Sequence, residues 1–169
     1  MKQLLLVRHA KSDWSDGSLA DFDRPLNDRG HHDAPLMARF LAARGVAPTF
    51  LYSSPANRAY STARLFAGEF GIAENDISTD EQLYEAHTQQ LLDAPRRLPN
   101  AHDTVALFSH NPALTSAAAQ FAEEYIGNVP TCGVGLVRAD DIDDWAEFST
   151  ASAKLTNLWF PKRVLDAYA

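Results

Sequence analysis

The sequence predicts an α/β fold, a three-layer sandwich with a mostly parallel central sheet and helices on both faces. Three observations carry that expectation. The strands read at residues 2–7 and 104–108 carry unbroken apolar runs, Leu4-Leu5-Leu6-Val7 and Val105-Ala106-Leu107-Phe108, which is the pattern of strands covered on both faces. Helix-like segments with cap and stop residues alternate with short strands through most of the chain. The last part is strand-rich, which leaves room for an antiparallel strand beside the parallel ones.

Each element has its own grounds. Residues 2–7 form the first strand, which ends in Arg8-His9-Ala10. Residues 14–24 are polar and acidic and read as a loop. Asn27 is placed to cap a helix running through Leu36, Met37, Phe40 and Leu41 to Gly45. Pro35 weakens the case for its first half. Residues 49–53 are a second strand. Ser54-Pro55 then has the order of an N-cap and a first helical residue, and Ala59, Ala63, Phe66 and Phe70 follow at helical spacing until Gly71. Residues 76–83 read as a short strand and turn, and residues 89–98 as a short helix interrupted near Pro95. Residues 104–108 are a central strand. Asn111-Pro112 repeats the cap-then-proline start, and the helix over residues 114–126 is closed by Gly127. Residues 133–137, 145–150 and 154–158 read as strands, with the acidic run at residues 140–144 as a turn.

Bulk properties narrow the class. A chain of 169 residues is expected to form one domain over residues 1–169 and to bury a substantial core without staples. A formal net charge of -7 argues against a nucleic-acid partner, because backbone binding needs a basic face. It leaves an anionic substrate open, since local arginines can dominate one pocket. Cys132 is the single cysteine, so no intramolecular disulfide framework exists. The first apolar run is broken at once by Arg8 and His9. It is too short for a signal-peptide core or a membrane span, so the expectation is a cytoplasmic protein with no membrane contact, monomeric by default.

The chemistry is concentrated at strand ends. Parallel strands put their carboxyl ends on one side of a sheet, where ligands of such folds bind. The first strand ends in Arg8-His9, the second in Ser53-Ser54 with Arg58 close behind, and the later central strand in Ser109-His110. Arg8, His9, Arg58 and His110 are therefore expected to converge. Arginine offers a planar fork of donors that suits phosphate oxygens, and helix N-termini add free N–H groups. A neutral imidazole can attack phosphorus, and a second can donate to the oxygens as charge spreads over them. A single His or Arg at such a place is more often structural; it is the joint pattern that points to phosphoryl transfer.

These residues resemble a known family. Leu6-Val7-Arg8-His9-Ala10, Arg24-Pro25-Leu26, Ser53-Ser54-Pro55 with Arg58 and Thr62, Leu83-Tyr84-Glu85 and Ser109-His110-Asn111-Pro112 are similar to the motifs of the histidine phosphatase (phosphoglycerate-mutase-like) superfamily. The short length and the wording around His9 and His110 resemble its SixA-type phosphohistidine phosphatase branch. The resemblance covers residues 4–161, and its specificity lies in the order of the motifs. It implies a phosphoglycerate-mutase-like fold, His9 as the phosphorylated nucleophile, and Arg8, Arg58 and His110 as holders of the phosphoryl group. Glu85 falls where the family can place a proton donor. Ala10 stands where glycine is usual, and Asn111 where some branches place an acid, which leaves Glu85 as the donor the family supports.

The resemblance implies a metal-independent phosphatase with no cofactor, whose partner is a phosphorylated protein carrying phosphohistidine or a small phosphate ester. Imidazole is a better leaving group than an alkoxide, and no long insertion marks a lid, so phosphohistidine is favoured and a mutase is less expected. A small-molecule phosphomonoesterase is the alternative within the superfamily. A non-catalytic phosphate-binding module is the alternative outside it. The six histidines show no metal-ligand spacing. Arg24 has Asp21, Asp23 and Asp28 nearby to pair with.

Overall fold

The computed structural model describes residues 1–165. A six-stranded sheet, in the order β3-β2-β4-β1-β5-β6, forms its centre. The strands are β1 (Lys2–Arg8), β2 (Phe50–Ser53), β3 (Ser78–Thr79), β4 (Thr104–Ser109), β5 (Val134–Ala139) and β6 (Lys154–Trp159). β1 to β4 are mutually parallel. β5 is antiparallel to both β1 and β6. The helices are α1 (Asp28–Ala43), α2 (Asn57–Phe70), α3 (Thr88–Asp93), α4 (Ala113–Phe121) and α5 (Pro161–Val164).

The strand order explains which face each helix covers. From β1 through β2 to β3 the chain moves one way across the sheet, and from β3 to β4 it turns back. Right-handed crossovers then place the helices of the two halves on opposite faces. The strand side chains divide accordingly. Leu5, Val7, Leu51, Ala106 and Phe108 pack with Met37, Leu41, Ala63 and Phe66 of α1 and α2. Leu4, Leu6, Val105 and Leu107 pack with Leu91 of α3 and Leu114 and Phe121 of α4. Both sides of β1 and β4 are buried, which is why those strands read as unbroken apolar runs.

Most element boundaries lie where the sequence places them; those of α2, α4 and residues 145–150 differ. α1 runs unbroken through Pro35, because Ala34, Met37, Ala38 and Leu41 are buried along one face and packing outweighs the lost N–H. α2 begins at Asn57 with Ala56 as N-cap, not at Ser54-Pro55, because the Ser54 side chain is turned to other partners. α4 stops at Phe121, where Ala122 becomes extended; the next turn would bury Tyr125, which instead is 98% exposed. Residues 145–150 are not a strand. Trp145–Glu147 is a 3₁₀ turn whose first N–H groups are capped by Asp144, and Trp145 and Phe148, three residues apart, are both buried in the α3–α4 side of the core.

One close approach ties α1 to the start of the site. Gly30 lies against the turn after Ala10, where a Cβ would sit 2.3 Å from the Lys11 carbonyl oxygen. That same carbonyl accepts the Asn27 N–H at 3.0 Å. No helix among the described residues is long and apolar enough to cross a membrane.

Candidate active site

β2, β4 and β1 are neighbours, so their carboxyl ends deliver polar residues side by side. The His9 N–H donates to the Ser109 carbonyl at 3.2 Å, and the Cys132 N–H donates to the His9 carbonyl at 2.9 Å. His9 is thus pinned between β4 and the segment entering β5. The Ala10 N–H donates to Thr62 Oγ1 at 2.9 Å, and the Thr62 hydroxyl donates to the Arg58 carbonyl at 2.7 Å. Through that pair the first turn of α2 is fastened to the chain just after His9, carrying Arg58 with it.

His9 is buried, and its Nδ1 lies 2.7 Å from the Ala10 carbonyl oxygen. A carbonyl only accepts, so Nδ1 carries the hydrogen and the neutral ring keeps its lone pair on Nε2. Burial, helped by Arg58 and Arg8 and opposed by the Ala10 hydrogen bond and Asp21, pushes the His9 pKa down to about 4. The ring is therefore neutral at neutral pH, the state a nucleophile needs.

His110 faces it, with ring centroids 5.3 Å apart. Its Nε2 is 2.8 Å from Ser54 Oγ, which also accepts the Ala56 N–H at 3.2 Å. Its Nδ1 is buried with no partner. Burial, then His9 and Arg58, pushes its pKa down to about 3. The Tyr84 ring meets His110 edge-on at 5.5 Å.

The arginines come from two directions. Arg8 Nη1 donates to the Val129 carbonyl at 3.0 Å, while its Nε is buried without a partner. Burial and the nearby Arg58 charge lower the Arg8 pKa from its usual value. Arg58 Nη1 donates to the Asp21 carbonyl at 2.7 Å and Nη2 to Asp21 Oδ2 at 3.0 Å. Asp21 also accepts from the Tyr84 hydroxyl at 2.7 Å and from Arg24 Nη2 at 2.9 Å. Those partners, Tyr84 foremost, hold its carboxyl below the usual range. The Arg24 guanidinium in turn lies 3.3 Å from the Trp14 ring centre.

Arg8, His9, Arg58 and His110 thus meet in one cluster. Glu85 does not join it as closely. It is exposed, has a left-handed backbone at φ 53°, and stands at the rim, where its charge helps raise the Tyr84 hydroxyl to a pKa of about 12, chiefly through burial and Asp21. Asp21 and Tyr84 join the cluster beyond the residues expected to converge, and Ser54, expected as a cap, meets His110. Asp21 was visible only as one of several acidic neighbours of Arg24. Among the described residues no group of three His, Cys, Asp or Glu side chains is arranged to hold a metal ion. The cluster can do two things chemically: hold an oxyanion between two guanidinium groups, and present a neutral imidazole lone pair beside it.

Comparison with known proteins agrees with this chemistry. The family model of the histidine phosphatase superfamily (branch 1) matches residues 4–97. An uncharacterized chloroplast protein of Arabidopsis thaliana is 29% identical over 82% of this chain and 66% of its own length. An uncharacterized protein of Mycobacterium tuberculosis is 28% identical over 92% of this chain and all of its own. A 2,3-bisphosphoglycerate-dependent phosphoglycerate mutase of Beijerinckia indica is 33% identical over 48% of this chain and 41% of its own. The chain spans just under two thirds of the plant relative and less than half of the mutase. Among solved structures, a provisionally named phosphohistidine phosphatase SixA of Agrobacterium tumefaciens superposes with a TM-score of 0.77 at 26% identity, over 95% of this chain and 98% of that one. A protein histidine phosphatase SixA complexed with tungstate gives 0.78 at 18% identity, over 96% and 99%. With more than half its length matched by the family model and its fold shared with SixA-type proteins, this chain belongs to the histidine phosphatase superfamily.

Proposed function

We propose that the protein is a phosphohistidine phosphatase, a single domain that hydrolyses protein phosphohistidine through a covalent phospho-His9 intermediate. The observation that carries this reading is the locked tautomer of His9. Its Nδ1–H is committed to the Ala10 carbonyl, so Nε2 is the free nucleophilic atom, next to His110 and two arginines.

In the first step Nε2 of His9 attacks phosphorus while the bond to the leaving group breaks in line. The electron pair goes to the leaving nitrogen, which takes up a proton. Arg8 and Arg58 neutralise the oxygens of the transferring group, and neutral His110 offers an N–H to one of them. In the second step water attacks phosphorus, the bond to Nε2 breaks, and orthophosphate departs as the ring recovers its lone pair. Glu85 at the rim is the candidate to supply the proton and then accept one from water. An imidazole leaving group lessens the demand on that acid, which suits a carboxylate standing in solvent. The small-molecule phosphomonoesterase reading uses the same steps, with an alkoxide in place of imidazole, and needs more from Glu85.

The test is chemical trapping. Brief incubation with phosphohistidine protein and acid-free quenching should leave one labile phosphate on the protein, lost in acid and absent from His9→Ala. Hydrolysis at the wild-type rate by His9→Ala would sink the covalent route. A strong preference for aryl or sugar phosphates over phosphohistidine protein would move the assignment to the phosphomonoesterase.

A further inference from the structure

We propose that Asp21 is a specificity-determining residue: it favours substrates whose phosphoryl group is their only anionic group, with a neutral or cationic leaving group, over substrates carrying a second anion. The inference rests on the phosphatase reading above and narrows its substrate class.

The site is bipolar along its depth. His9 and His110 lie at the bottom, 7% and 8% exposed, with the guanidinium of Arg58 beside them, its side chain 12% exposed. The Asp21 side chain is 46% exposed, so it stands on the solvent side, yet its charge still reaches both imidazoles. It is also fixed in place. Arg58, Tyr84 and Arg24 all donate to its carboxylate, which keeps it ionised and prevents it from swinging away. Beyond these partners the rest of the loop adds charge of the same sign. Residues 13–23 contain four aspartates and no lysine or arginine, and the exposed Glu85 adds its charge beside Tyr84. Arg24, the cation nearest this rim in sequence, is already paired with Asp21.

In-line displacement puts the leaving group opposite His9. With His9 at the bottom, the leaving group faces the solvent side and passes Asp21. A carboxylate or second phosphate there meets a fixed like charge. An imidazole can instead donate its distal N–H to the Asp21 carboxylate. The two arginines below draw in the phosphoryl group, and the rim rejects anything that repeats its charge.

A matched pair isolates the effect. Phenyl phosphate and 4-carboxyphenyl phosphate differ by one carboxylate, as do phenylphosphonate and 4-carboxyphenylphosphonate, which bind without turnover. At low salt the wild type should favour the member without the carboxylate in each pair by about tenfold, in kcat/KM and in calorimetric affinity. Asp21→Asn should shrink that to about twofold, Asp21→Glu should restore it, and added salt should compress it in the wild type. Equal affinity for the two phosphonates, failure to bind either, or the same ratio in wild type and Asp21→Asn would overturn the proposal. Selective phosphonate binding without turnover of any phosphate would instead sink the phosphatase reading and leave the selector standing.

Discussion

His9 and His110 are neutral because they are buried among arginines, and the acid limb of the proposed activity should show it. An ordinary imidazole would lose its nucleophilic form near pH ~6.5. With the His9 pKa at about 4, kcat/KM should stay level from neutral pH to about 5.5 and then fall with an apparent pKa near 4. A midpoint near 6.5 would mean the ring is solvated. Stability carries the same signature. Between about pH 6.5 and pH 4 the unfolded chain binds protons at His9 and the folded one does not. Stability present at neutral pH is therefore lost as pH falls through that window, by roughly 3 kcal/mol from His9 alone. Urea titrations at pH 7 and pH 4.5 should show the loss, and His9→Asn should reduce it. The four core site residues were legible in the sequence because each stands at the end of an apolar run or just inside a helix. Their partners were not. Nothing distinguishes Asp21 from Asp13, Asp16 or Asp23 until the loop is folded, and the bond from Ser54 to His110 joins residues 56 apart.

Helix α1 contributes no side chain to the chemistry, yet it bears on it through Gly30. A methyl group there would press on the Lys11 carbonyl, two residues beyond His9. Gly30→Ala should cost about 2 kcal/mol, measured by urea denaturation, and should reduce turnover beyond what lost stability explains. A neutral substitution would show that α1 can move away without disturbing the turn. The elements missed by sequence reasoning share a cause. Helix α4 had the composition to continue past Phe121, but the chain leaves it to return Val129 to Arg8 and Cys132 to His9. Residues 145–150 had strand-like composition, but Trp145 and Phe148 are spaced to fill one side of the core. In each case tertiary contacts outweighed local preference.

Taken whole, the molecule holds two arginines near one another, and the buried Nε of one of them, Arg8, has no partner, so an oxyanion should stabilise it. A tetrahedral anion such as phosphate or tungstate at about 100 times its Kd should add about 2.7 kcal/mol, seen as a rise in Tm. Arg58→Ala should abolish most of that rise while Arg24→Ala keeps more of it; an unchanged shift in Arg58→Ala would place the anion elsewhere. The fold class, the parallel sheet and the single reversed strand were legible because buried parallel strands leave unbroken apolar runs. The strand order was not, since nothing local to residues 104–109 says that they lie between β2 and β1.

That insertion has a consequence in time. A chain emerging from the ribosome delivers His9 first and then Arg58, both well before His110. The strand that must lie between them, with His110 at its end, is made later, and the segment that pins His9 and Arg8 from the other side later still. During synthesis His9 is therefore a histidine on an unfinished sheet, without its buried neighbours. It acquires its neutral ring, its neighbours and its anion pocket together, when β4 takes its place.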